Sequence, residues 1–167
     1  MAKGKEIIVS SDPRGHFEEC IVSGTPKPGT VMEVVPSTDS VGGRFTYRAC
    51  SRADGAKGGV PILLPDSDQG KLATDAYVSG TRGFLYWPLA GEEFNMLLRY
   101  QPGTGTSLDE NIGDLLEVDG ASGKLQGVGT GGPTGSHAAA PFMLMEHLGA
   151  AFTADKLIFV KFLGDNA

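Results

Sequence analysis

Apolar residues in this chain come in short clusters bounded by Gly, Pro, Asp, Ser and Asn, and the clusters do not recur at helical spacing. Residues 6–10, 17–23, 30–35, 44–50, 60–64, 75–78, 83–87, 93–100, 114–118, 124–128, 142–146 and 156–162 therefore read as strands, each ending where a turn-forming residue intervenes. Strands recurring about every ten residues indicate a barrel or sandwich. Within 44–50 the alternation puts Phe45, Tyr47 and Ala49 on one face and Arg44, Thr46 and Arg48 on the other, a half-buried strand with a wet side. Ile62-Leu63-Leu64 and Ile158-Phe159-Val160 are unbroken apolar runs, expected to be covered on both faces. Along 83–87, Phe84 and Tyr86 share one side, and Leu85 and Trp87 the other. Helix signals are few. Residues 142–151 suit either two helical turns stopped at Gly149 or a strand followed by a turn, and 109–112 suits a single turn.

Composition strengthens the β reading. Of 167 residues, 25 are Gly and 10 are Pro, so turns must be frequent and helices short. Asp119-Gly120-Ala121-Ser122-Gly123 separates two apolar runs and reads as a hairpin turn whose glycines can take positive φ. Residues 53–59 read as a longer connection, 90–92 as a short one, and Pro88 as a strand end or edge. Residues 102–107 and 127–140 are dominated by small and polar types and read as mobile surface loops or crossovers. No internal repeat is visible. The expected fold is all-β, a small β-barrel or β-tulip-like domain over 27–167 with long Gly-rich loops, preceded by an N-terminal arm over 1–26.

The net charge of −6 and the scatter of Lys and Arg argue against a nucleic-acid partner. No apolar stretch approaches the ~20 residues of a membrane helix. The opening Met-Ala-Lys-Gly-Lys has no apolar core behind it and does not read as a signal peptide, so a soluble protein made in a cytoplasm is expected. Cys20 and Cys50 lie in strand-like contexts and read as reduced thiols. No zinc-ligand spacing appears. Asp66-Ser67-Asp68-Gln69-Gly70 resembles a fragment of a calcium loop but lacks its third acidic position and distant glutamate, so a plain acidic turn is the better reading.

Catalytic candidates each fail on spacing or platform. The chain has three histidines, His16, His137 and His147, but no Gly-x-Ser-x-Gly elbow, and His137 sits among glycines and alanines. Gly120-Ala121-Ser122-Gly123-Lys124 lacks phosphate-loop spacing, with Leu125 where a metal-binding hydroxyl belongs. A non-enzyme without metal or cofactor is expected. Phe84, Tyr86 and Trp87 form the densest aromatic patch, and Trp87 beside Pro88 suits a subunit interface.

The order of segments Lys27-Pro28-Gly29-Thr30-Val31-Met32-Glu33-Val34, 58–66, 75–84 and 90–98, followed by 113–119, Lys124-Leu125, 140–142 and a closing strand over 157–162, resembles the capsid decoration (cement) proteins of tailed bacteriophages. The likeness runs through most of 27–163 and lies in order and turn placement. It implies a small β protein on the outer surface of the virion, binding the major capsid protein of an HK97-like shell, usually as a homotrimer and without nucleic acid or membrane. It also implies an N-terminal arm reaching a neighbouring subunit. The matching segment here holds Ile7-Ile8-Val9 and Arg14, so these residues and Trp87 are the candidate partner contacts. Deleting 1–26 is then expected to weaken capsid binding and spare the fold. The alternative is a β-sandwich binding module, such as a phage fibre or carbohydrate-binding domain that uses Tyr77, Tyr86 or Trp87; a small β-barrel hydrolase is a third reading.

Overall fold

The computed structural model describes residues 6–9, 13–36, 43–51, 60–100, 111–128, 141–148 and 154–164. The chain is all-β: the described residues hold ten strands, one 3-10 turn at Ser67–Gln69 and no α-helix. In chain order these are β1 (His16–Val22), β2 (Met32–Val34), β3 (Thr46–Ala49), β4 (Ile62–Leu64), β5 (Arg82–Trp87), β6 (Glu93–Leu98), β7 (Leu115–Val118), β8 (Leu125–Gly127), β9 (Phe142–Leu144) and β10 (Lys156–Phe162). They divide into two groups of five.

The later half forms a closed barrel in the order β10-β6-β8-β7-β9. Its interior follows the period-2 alternation of the strands, with Phe94, Met96 and Leu98 of β6 meeting Ile158, Val160 and Phe162 of β10, all buried in one core. The outer edge of β6 is shared among three short segments. Val9 N donates to Glu93 O and Asn95 N to Ile7 O, Leu97 N donates to Gly29 O, and β8 pairs at Leu98.

The earlier half forms a sheet in the order β2-β3-β1-β5-β4. A bridge between Val31 and Ile62 draws its two outer strands together into a ring. One face carries Cys20, Val22, Met32, Tyr47, Leu63 and Leu85 into a second, smaller core, which Tyr77 joins from outside the strands. The opposite face contributes Ile62, Leu64 and Tyr86 to the barrel's core. Ile62-Leu63-Leu64 is thus buried on both sides because one face serves each core, and β5 divides Leu85 from Tyr86 in the same way. In the other unbroken run Ile158 and Val160 fill the barrel, while Phe159 is only half-buried on its outside.

Three expectations are corrected. Residues 75–78 form no strand; Tyr77 is instead a single buried anchor, its backbone N donating to Pro26 O and its hydroxyl to Leu64 O at 2.7 Å. Phe45 does not share the buried face of Tyr47, because β3 begins one residue later and leaves its ring exposed. Of the expected arm over 1–26, the described residues 16–22 are not apart from the domain. β1 lies inside the sheet, antiparallel to β5 from His16–Trp87 to Ile21–Arg82 and parallel to β3, and Cys20 and Val22 are fully buried. Residues 142–144 take the strand alternative. The segments 53–59, 102–107 and most of 127–140 lie outside the described residues.

Candidate functional site

Two features stand out, a clasp under an apolar surface and a charged groove. The clasp is built on Glu92, just past the turn between β5 and β6 and only 3 % exposed. Its Oε1 accepts hydrogen bonds from Arg14 N at 2.6 Å, Gly15 N at 3.3 Å and Tyr86 Oη at 2.7 Å, and its Oε2 accepts from Leu89 N at 2.7 Å. Burial alone would raise this carboxyl. The bonds from Leu89, Arg14, Tyr86 and Gly15 outweigh it and hold the group below its ordinary range, so it stays ionised. The Tyr86 hydroxyl is pushed up to about 12 by burial and by its bond to Glu92. One carboxylate therefore ties the segment before β1 to the β5–β6 turn.

Around this clasp lie exposed apolar side chains. Phe17 rests edge-on against Tyr86 with ring centres 4.8 Å apart and remains 54 % exposed. Leu89 caps the turn, Val9 sits beside Glu93, and Leu163 follows Phe162, whose N donates to Glu92 O. Exposed apolar side chains gathered in one place mark interaction surfaces more often than scattered ones do.

The candidate contacts named from sequence divide. Val9 and Arg14 are exposed at this surface. Ile7 is buried, Ile8 is half-buried and bridged to Phe94, and Trp87 is half-buried with its indole Nε1 donating to Glu18 Oε2 at 2.9 Å. Tyr77 and Tyr86 are both buried, so neither offers a ring face to a glycan.

The groove, about 470 Å³, opens where the sheet meets the barrel. The chain leaving β1 supplies Thr25 and Lys27, β3 supplies Arg48, the β7–β8 hairpin supplies Ser122 and Lys124, and Asp155 comes from just before β10. Lys124 Nζ reaches Asp155 Oδ2 at 2.6 Å, while Asp155 Oδ1 accepts from Tyr100 N at 2.9 Å. Burial opposes ionisation of Asp155, but these bonds and the charges of Lys124 and Lys27 hold its carboxyl below the usual range. Arg48 meets the buried Glu33 through Nε at 2.9 Å, and Ser51 Oγ donates to the same carboxylate at 2.6 Å. Four positions spread from 27 to 155 make this charge pattern, so no linear motif announces it.

The remaining chemistry-bearing residues do not assemble. Burial and the neighbouring Glu18 charge push the Cys20 thiol up to about 12, against a lowering backbone bond to Gly83, and both cysteines are buried thiols outside any disulfide. Asp66 is buried whereas Asp68 is exposed and pairs with Arg82 at 3.5 Å, so the two carboxylates do not converge. Among the described residues no three His, Cys, Asp or Glu side chains are grouped to hold a metal ion. His16 and His147 are exposed, and His137 lies outside the described residues. No protein-family model matches the chain, and no curated protein matches it in sequence.

Proposed function

We propose that this chain is a capsid decoration protein of a tailed phage. On this reading it is a non-enzymatic β protein that binds the outer surface of an HK97-like head, self-associates as a homotrimer, and steadies the expanded shell by bridging adjacent capsid subunits. The observation that carries the reading is the exposure of four apolar side chains, Val9, Phe17, Leu89 and Leu163, on segments next to the Glu92 clasp. Exposed apolar side chains beside a hydrogen-bonded clasp suit adhesion better than chemistry. The two-part β architecture and the order of turns along the chain point the same way. Several copies bound together turn modest individual contacts into firm attachment, because later contacts become effectively intramolecular. Binding that favours the expanded shell then stabilises it by mass action.

The test is to mix the protein with undecorated expanded capsids of the cognate phage. Saturable binding and a higher rupture temperature are expected, and Phe17→Asp should weaken binding at least about tenfold by burying a charge in the contact. Absence of binding by the intact protein would sink the proposal.

A further inference from the structure

We infer that the open end of the second core binds the guanidinium of an arginine side chain supplied by a partner protein, with Glu18 as counter-ion and Trp87 and Tyr47 as aromatic neighbours. The register of β1 against β5 makes this grouping. His16 lies opposite Trp87 and Glu18 opposite Leu85, and residues directly opposed across an antiparallel pair share a face. Glu18 and Trp87 therefore stand on the side that carries Cys20, Val22 and Leu85 into the second core. Trp87 Nε1 donates to Glu18 Oε2 at 2.9 Å, and Tyr47 Oη reaches from β3 to the two carboxylate oxygens at 3.3 and 3.4 Å. Glu18 and Trp87 are half-buried, so the group is reached from solvent.

Both of these donors are neutral groups, and the field of the carboxylate is felt beyond them. Burial and then the Glu18 charge push the Tyr47 hydroxyl up to about 12, and the same two causes act in the same order on the Cys20 thiol. A negative potential at a half-buried mouth with apolar walls draws a cation to it. The arginines of the neighbouring segments serve the other face: Arg44 and Arg82 both pair with Glu19, which the strand's alternation turns away from Glu18. Aromatic rings beside a carboxylate select among cations. A planar guanidinium lies against a ring face while its N–H groups meet the carboxylate oxygens. Phe45 is 53 % exposed, and its carbonyl accepts from Ile21 N, so it adds an open ring alongside β1 for the methylene stem of the arginine. Val9, Phe17, Leu89 and Leu163 take no part, so the site stands or falls independently of capsid decoration.

The chain has a single tryptophan, Trp87, so its fluorescence reports on this site. The test titrates the full chain, at constant ionic strength, with a capped Gly-Arg-Gly peptide. Parallel arms are its citrulline counterpart, which keeps the shape and loses the charge, and free arginine, which carries a carboxylate of its own. A saturable change is expected with the arginine peptide, weaker with free arginine and absent with citrulline, and the affinity should fall as salt is raised. Glu18→Gln keeps an acceptor for Trp87 and Tyr47 and should reduce affinity about tenfold, whereas Glu19→Gln on the other face should leave it within about twofold. No saturable response to the arginine peptide, an equal response to citrulline, or a Glu18→Gln variant that binds no worse than Glu19→Gln would overturn the proposal. Free arginine binding more tightly than the peptide would overturn it too, in favour of a small-molecule site.

Discussion

Glu92 shows how a single buried charge can decide local structure. Its four donors come from three separate stretches, Arg14 and Gly15, Tyr86, and Leu89, so its carboxylate does the joining that a hydrophobic contact would do less specifically. Because folding lowers its pKa, the stability it contributes is fully present above the unfolded value near 4.5 and is lost as pH falls through the lower folded value. Glu92→Gln should therefore cost about 2–3 kcal/mol at neutral pH, since the amide replaces charge-assisted bonds and brings a donor into a site crowded with donors. In chemical denaturation followed across pH, the gap between variant and parent should narrow on the acid side. A gap that stays constant down to acid pH would show that packing, not ionisation, sets the effect. Nothing in the linear sequence marks Glu92 out from Glu93 beside it; one is buried and the other half-buried only because the turn directs them differently.

Among the elements, the β7–β8 hairpin was the most legible and turned out to have a second role. Its turn over 119–123 follows from the glycines and the flanking apolar runs, and β7 and β8 pair antiparallel as that pattern requires. Arg99 and Ser122 both hold Asp119, the former at 2.8 Å. What the pattern could not reveal is where the tip goes. Gly123 O accepts from Val31 N at 2.8 Å, so the tip of a barrel hairpin is joined to the chain entering β2 of the other sheet. Gly123 also has φ near +67°, and a Cβ there would overlap the Val31 carbonyl oxygen and come within 2.8 Å of Cys50 N. Gly123→Ala should thus cost about 1–3 kcal/mol from strain alone, with further loss from the overlap. Thermal denaturation is the measure, and a variant as stable as the parent would show that the joint is loose. The strands themselves were readable because period-2 alternation is a local property. Local alternation misplaces 75–78 for the same reason: Tyr77 looks like part of a strand, but its burial depends on Leu64 and Pro26, outside its own segment.

For the molecule as a whole, the two β groups are linked at several places, and this changes what the N-terminal segment is. From sequence, Ile7-Ile8-Val9 reads as a short strand suited to a partner's edge, and 17–23 reads as a strand within the 1–26 arm. In the fold they complete edges within the chain, Ile8 against Phe94 of the barrel and β1 between β3 and β5. The distinction is one of non-local pairing, which local patterning does not carry. It reverses the expected result of deletion. A chain lacking residues 1–22 loses the buried Ile7 and Val22 side chains, roughly 3–6 kcal/mol for the pair. It also loses the main-chain bonds β1 makes on both sides, and the edges of β3 and β5 are left bare. Against a total stability of about 5–15 kcal/mol, that is enough to unfold the sheet. Because Ile62, Leu64 and Tyr86 of that sheet also line the barrel's core, the barrel should not survive unaltered. Circular dichroism and amide dispersion of the truncated chain should accordingly show loss of cooperative folding. A truncated protein with a native-like spectrum and a sharp melting transition would mean that the barrel folds alone and that β1 is an appendage after all. Removing only residues 1–5 leaves the buried Ile7 and Val22 in the chain, and that shorter deletion should melt within a few degrees of the parent.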